Sequence, residues 1–337
     1  MRALFVMLLL AVSLPVAARR GPDPGPLFAA QPGYERFVQG LADTLSLDRQ
    51  QLDHLFRQVH IKPQILRAIS LPAEARPWDQ YRPLFFNEAR IQGGVAFWEG
   101  HADALARARE TYGVPEAVIV AILGVETQYG RNMGGWRVLD ALTTLAVAYP
   151  PRADYFRREL TEFLLFTREQ GVDALTVKGS YAGAMGLGQF MPSSCRKYGV
   201  DFDGDGHADL WRNPVDAIGS VAHYLQAFGW QPGGRVVVPV EVAGEATREL
   251  ANTGWSTRKT VAEWRRLGVN QATPLPEDEQ AMLVRLDTTS GPEFWLAFQN
   301  YYVITRYNRS FQYALAVYQL ASAIAASRFT ACGADPC

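Results

Sequence analysis

The chain has 337 residues, of which 48% are hydrophobic, 12% aromatic and 20% charged, with a formal net charge of -1. That length supplies about two domains' worth of core. The balanced charge removes any electrostatic argument for nucleic acid or an anionic membrane surface, and 3 cysteines are too few for a disulfide framework in a chain this long.

Met1-Arg2, the apolar run Ala3 to Val12 and the small residues up to Ala18 have the order of a secretory leader cleaved after Ala18. The run is shorter than the roughly 18 apolar residues needed to span a bilayer, and no cysteine follows it, so an exported protein without a membrane anchor is expected. Residues 19–33 read as a Pro/Gly linker, and 34–110 as helical. Phe37, Leu41 and Leu45 recur at helix spacing, and Asp48 offers a capped start for Leu52, Leu55, Phe56 and Val59. Phe85 to Tyr112 reads as a long amphipathic stretch broken by Gly93-Gly94.

At Val114-Pro115 another helix opens, with proline in its first turn and an almost uniformly apolar series Ala117, Val118, Ala121, Ile122 and Val125. It ends at Glu126, with Gly130 as the expected stop. A carboxylate closing an apolar helix either finds a partner or has its pKa raised by desolvation. Asp154 to Gln170 is amphipathic, with Phe156, Leu160, Phe163 and Leu164 inward, and Asn213-Pro214 opens a helix ending at Gly229. Composition then shifts: Gly233 to Val242 is β-branched, and Ala281 to Thr288 resembles a later strand, so 230–290 reads as a small β insertion. Helix is expected again from Gly291-Pro292-Glu293 and from Phe311 to Ala326. There is no internal repeat.

The loop Asp201-Phe202-Asp203-Gly204-Asp205-Gly206-His207-Ala208-Asp209 follows the EF-hand pattern, with alternating carboxylates and glycine at the sixth position. Asp201, Asp203 and Asp205 are the expected side-chain ligands and His207 a carbonyl ligand. Position twelve is Arg212, so Asp216 on the following helix is the candidate replacement. Three carboxylates this close repel one another without a cation, which points to one structural calcium, not a catalytic one. Cys195 reads as a small core residue, while Cys332 and Cys337 could close a terminal ring in an oxidising compartment. Residue pattern alone leaves Glu126 open between a buried structural carboxylate and an acid catalyst.

Three runs taken together, Gly124 to Gly130, Lys178 to Ser194 and Asn300 to Asn308, resemble the lytic murein transglycosylase B family, its soluble periplasmic type included. The resemblance extends over about residues 34 to 328. It implies a mainly α (α+β) protein with a lysozyme-like core, an all-helical domain and a small β-containing domain. The expected division is 34–110 helical (completed by 315–330), 111–229 catalytic core with the metal loop (completed by 291–314), and 230–290 β. The implied reaction is non-hydrolytic cleavage of the β-1,4 bond between N-acetylmuramic acid and N-acetylglucosamine, leaving a 1,6-anhydro end.

Glu126 matches the family's acid, and Arg152, Tyr155, Ser180, Met185, Gln189, Phe190, Tyr224, Tyr307, Asn308 and Tyr313 match its substrate contacts. The spacing from Asp205 to Asp216 is one residue longer than the family's usual loop. No organic cofactor is expected. The implied partners are peptidoglycan glycan strands and other cell-wall enzymes, and the implied form is a periplasmic monomer. A water-using muramidase would want a second carboxylate, which the motif runs lack outside the metal loop. A non-catalytic peptidoglycan-binding scaffold would have no need of Glu126.

Overall fold

The computed structural model describes residues 25–70 and 76–331. The expected leader and the pair Cys332 and Cys337 lie outside the described residues. Helices α1 (Tyr34–Leu45), α2 (Arg49–Phe56), α3 (Pro63–Ala68), α4 (Trp78–Tyr81), α5 (Glu88–Gly100), α6 (Ala102–Tyr112) and α7 (Glu116–Thr127) come first. The middle holds β1 (Trp136–Arg137), α8 (Val138–Ala148), α9 (Ala153–Glu169), β2 (Lys178–Gly179), α10 (Pro192–Tyr198) and α11 (Pro214–Ala227). Then follow β3 (Val237–Val242), α12 (Glu245–Arg248), β4 (Lys259–Thr260), α13 (Val261–Arg266), β5 (Val269–Asn270), β6 (Gln280–Thr288), β7 (Gly291–Ala297), α14 (Gln299–Tyr307) and α15 (Phe311–Ala331). The fold is mainly α with a small β portion, as the sequence implies.

Backbone contacts group 76–129 with 221–331 in one compact unit, and 25–70 with 130–220 in another. This grouping cuts across the three-part division expected above.

In the first unit, α7 packs against α5 and α15. Val118, Ile119, Ile122, Leu123 and Val125 are all buried, so α7 is apolar on every face and belongs inside. Each such side chain contributes roughly 1.5–3 kcal/mol on leaving water. The break expected at Gly93-Gly94 does not occur: α5 runs through both glycines and the chain turns at His101, between α5 and α6. The glycines are there for a neighbour. A Cβ on Gly94 would lie 2.7 Å from Tyr129 Oη, and one on Gly93 2.9 Å from its Cε2.

The sheet of the same unit has the order β4-β6-β7-β3-β5, and each neighbouring pair is antiparallel. Its inner face packs Leu283, Phe294 and Leu296 on Trp264 of α13, whose indole donates to Ala281 O at 2.9 Å. A capping box between Thr260 and Glu263 starts α13. Gly291 to Ala297, expected as helix, is strand β7 paired with β6 from Thr288↔Gly291 to Met282↔Ala297. The helical expectation rested on Gly-Pro-Glu as a start signal. Gly291 instead has φ 130° at the hairpin turn, and the next helix waits until Gln299.

In the second unit α8 and α9 pack together, with α3 against α8 and α10 against α9. Asp48 caps α2 as expected, its side chain accepting from Gln50 N. Asp140 on α8 is buried, accepts from His60 N at 3.1 Å and pairs with Arg137 at 2.6 Å, tying the early helices to α8. Cys195 is a free, buried thiol, pushed up by burial, as its reading as a core residue required. Among the described residues no helix is long and apolar enough to cross a membrane.

Candidate functional site

Glu126 occupies the last turn of α7 and is half-buried. Its Oε1 accepts a 2.7 Å hydrogen bond from Tyr313 Oη in the first turn of α15, 187 positions along the chain. Tyr313 is 0% exposed. Burial, reinforced by the charge of Glu126, pushes its phenol well above the ordinary tyrosine range, so it stays protonated and donates. Ser310 Oγ accepts from Tyr313 N at 3.2 Å, fixing the start of α15. Two of the residues expected to act together are thus brought into contact.

Beyond Glu126 the backbone is strained. Gln128, Tyr129 and Gly130 have φ of 52°, 61° and 85°, so the stop begins two residues before the expected Gly130. Left-handed conformation costs an L-residue roughly 1–2 kcal/mol. Tyr129 shows what offsets it. Its ring sits against Gly93, Gly94 and Gly124, stacks on Phe97 at 5.5 Å, and its Oη donates to Arg90 O at 2.6 Å. Arg90 in turn donates to Gly124 O at 3.0 Å and to Leu84 O. An adjacent pair of glycines on α5 and a third on α7 form one notch for one ring. The glycines are visible in the sequence, but their common partner is not.

The same unit holds Tyr224, Tyr307 and Asn308. Tyr224 Oη donates to Arg306 O at 2.6 Å, and its ring meets that of Tyr307 at 4.9 Å and 63°. Asn308 is 1% exposed, and its Nδ2 has no hydrogen-bond partner among the described residues. An orphan buried donor costs about 1–3 kcal/mol, which a fold tolerates where a ligand or water completes it.

In the second unit the run from Lys178 to Ser194 closes into a tight knot. Met185 bridges both Gly179 and Phe190, and Met185 and Phe190 are buried. Ser180 Oγ accepts from Ala184 N at 3.0 Å. Gln189 has φ 49°, and its amide Nε2 donates to Met133 O at 3.2 Å and to Gly186 O at 2.9 Å. The glycines serve this packing: a Cβ on Gly134 would lie 2.2 Å from Gly179 O, and one on Gly186 2.5 Å from Leu210 O. They admit the chain's own backbone.

Arg152 lies over the Tyr155 ring at 4.3 Å. Sequence reasoning missed the buried carboxylate beside them. Glu159, one turn on from Tyr155, accepts from Ser193 N at 3.0 Å and from Ser193 Oγ at 2.8 Å, capping α10 from outside. Burial raises its pKa, with those hydrogen bonds opposing. The Tyr155 phenol is likewise pushed up, by burial first and then by Glu159.

In the metal loop, carboxylate oxygens of Asp201, Asp203 and Asp216 lie within 4.8 Å of one another. Asp216 is 0% exposed, and its oxygens accept from Phe202 N at 2.7 Å and Asp209 N at 2.8 Å. Asp201 gathers the N–H groups of Gly204, Asp205 and Gly206 at 2.8, 3.1 and 2.7 Å. Asp205 is outside the three-carboxylate group and accepts from His207 N at 2.9 Å. A buried carboxylate facing two others, all hard oxygen donors, is a set that suits calcium. Asp209, unassigned above, accepts from Trp211 N and Arg212 N and turns the loop toward α11.

The fold and these features define a mainly helical, lysozyme-like glycan-cleaving class. Residues 29–322 match the transglycosylase SLT domain family. Over 311 residues, 89% of this chain and 85% of the other, the sequence is 44% identical to the membrane-bound lytic murein transglycosylase B of Escherichia coli K12. The Escherichia coli lytic transglycosylase Slt35, solved in complex with calcium, is 45% identical with a TM-score of 0.82, covering 90% of this chain and 96% of that one. SltB3 from Pseudomonas aeruginosa, solved with NAG-NAM-pentapeptide, is 34% identical with a TM-score of 0.77, covering 88% and 80%. The chain belongs to the lytic murein transglycosylase family.

Proposed function

We propose that the protein cleaves the β-1,4 bond between N-acetylmuramic acid and N-acetylglucosamine in peptidoglycan, without water, with Glu126 as acid and then base. The observation that carries this reading is the placement of Glu126 at the end of a largely buried helix, its carboxyl held by Tyr313. Protonated, Glu126 delivers its proton to the glycosidic oxygen as the C1–O bond breaks. The substrate's own N-acetyl group stabilises the oxocarbenium-like carbon, replacing the second carboxylate of ordinary glycosidases. The Glu126 carboxylate then takes the proton of the muramic C6 hydroxyl, and O6 bonds to C1 to close the 1,6-anhydro ring. Atoms and protons balance with no water consumed.

The residues proposed to contact sugar in this reading are Arg152, Tyr155, Ser180, Met185, Gln189, Phe190, Tyr224, Tyr307, Asn308 and Tyr313. The orphan Asn308 Nδ2 supports a polar ligand group nearby. Asp201, Asp203 and Asp216 hold one calcium, with Asp205 and the His207 carbonyl completing the loop. A divalent ion there neutralises the clustered carboxylates and stiffens the loop. The enzyme works in the periplasm after export, on glycan strands, as a monomer with the three-part division given above.

Mass spectrometry of fragments released from purified sacculi tests the reading. Ends one water lighter than reducing muramic acid are expected, and Glu126→Gln abolishes their release. Reducing ends would establish a hydrolase instead, and tight binding without release a scaffold.

A further inference from the structure

The second unit contains a cavity of about 740 Å³ that none of the proposed sugar contacts lines. Arg131, Lys178 and Arg212 border it, with Met133, Val172 and Trp211 supplying apolar surface. The three cations are exposed, and none of them forms an ion pair among the described residues. Some other cations of the same unit are neutralised: Arg196 by Glu162 and Glu169, Arg137 by Asp140, Arg57 by Asp53. The two acids on the cavity wall are turned to the loop's own backbone, Asp205 accepting from His207 N and Asp209 from Trp211 N and Arg212 N. Cations held around a concave, partly apolar wall with no carboxylate of their own form an anion-recognition surface.

The wall is also well anchored. Trp211 meets Phe166 at 5.5 Å with the rings tilted by 42°, and Lys178 lies in β2, paired with Arg137 of β1. Met133 accepts from Gln189, so the cavity floor is hydrogen-bonded to the Gly/Gln knot. The segment carrying Arg131 and Met133 follows shortly after Glu126 in the chain.

We propose that this cavity binds the short acidic peptide carried by the muramic acid of peptidoglycan, with Arg131, Lys178 and Arg212 receiving its carboxylates and Met133, Val172 and Trp211 its aliphatic side chains. The proposal rests on the peptidoglycan reading above and adds a second recognition element to it. Where the peptide is attached, the lactyl carboxyl is an amide and the glycan backbone is uncharged, and stripped glycan offers only one lactyl carboxylate per muramic acid. A peptide with several free carboxylates and aliphatic side chains matches both the three cations and the apolar wall. The cavity thereby distinguishes glycan that still bears peptides from glycan stripped of them.

The test compares the wild type with Arg131→Gln/Lys178→Gln/Arg212→Gln on intact sacculi and on glycan stripped of peptide by an amidase. The expected result is a KM raised roughly tenfold on intact sacculi, from several solvent-screened charge contacts acting together, with kcat/KM on stripped glycan unchanged within twofold. Equal losses on both substrates, or no loss on either, overturn the assignment.

Calorimetric titration with a free acidic tetrapeptide tests binding without catalysis. The wild type is expected to bind, more weakly as salt rises, and the triple variant not to bind. Absence of binding by the wild type overturns the proposal even if the enzyme cleaves glycan. Peptide binding by a protein that releases no anhydro ends would sustain this site and refute the reaction.

Discussion

Gly124→Ala adds one methyl group in the worst place the α7 environment offers. The new Cβ would stand 2.5 Å from Tyr129 Oη, 2.7 Å from Cζ and 2.8 Å from Cε1, distances that non-bonded carbons do not reach. The ring cannot slide aside, because Gly93 and Gly94 touch it and Phe97 stacks on it at 5.5 Å. Overpacking of this kind costs about 1–3 kcal/mol. Expelling the ring instead forfeits a hydrogen bond worth about 0.5–1.5 kcal/mol and an aromatic contact of similar size. Alanine returns about 0.5–1 kcal/mol of helix propensity. The balance is about 2 kcal/mol of destabilisation, and a melting temperature lower by roughly 4–8 °C.

The ring also holds the left-handed turn of Gln128 and Tyr129 against the helix that carries Glu126. On the proposed mechanism kcat for anhydro-end release therefore falls at least about tenfold, since small misplacements of a reacting group are expensive. Thermal melts and product mass spectrometry on the same preparation read both effects. Adding Tyr129→Ala should cost little more, because the clash it removes offsets what it loses. A Gly124→Ala protein that melts at or above the wild-type temperature refutes the notch and everything derived from it.

Tyr313→Phe removes one hydrogen bond to Glu126, a charge-assisted one worth about 1.5–3 kcal/mol when the carboxylate is ionised; kcat should drop about tenfold or more with KM nearly constant, and unchanged kcat would separate the phenol from the reaction. Chelation should lower the melting temperature of the wild type but not of Asp216→Asn, with calcium near 100 times its Kd contributing about 2.7 kcal/mol; equal responses would place the ion elsewhere. Burial holds the Glu159 carboxyl above its ordinary value, so the native state binds that proton more tightly than the unfolded chain. Its stabilising contribution is complete below the ordinary glutamate value and is lost as pH rises through the raised one. Wild type should therefore lose stability relative to Glu159→Gln as pH rises across that window, and parallel melting curves would show that Glu159 is not perturbed.

Much of this protein is written in short-range patterns. The 3.6-residue spacing locates α1, α9 and α11, the apolar run after Pro115 locates α7, Asp48 announces the cap of α2, and the Asp/Gly alternation marks the acidic loop from Asp201 to Asp209. Glu126 stood out because a carboxylate ends an otherwise apolar helix. These features depend on neighbours within a turn or two, and such neighbours are adjacent in the sequence.

What tertiary structure alone decided involves partners that sequence spacing does not connect. Gly93-Gly94 reads as a helix break, yet a helix tolerates glycines whose missing side chains are replaced by Tyr129 and, at Gly94, by Ile324 as well. Gly291-Pro292-Glu293 looked like a helix start, yet pairing with β6 claims the segment as strand. Asp205 fits the loop pattern, but the geometry gathers Asp201, Asp203 and Asp216. The Tyr313 hydroxyl reaches Glu126 across 187 positions, and Glu159 finds Ser193 across 34. Periodicity determines which face of an element is buried; only packing determines what that face is buried against, and it is the second choice that holds the carboxyl of Glu126 in place.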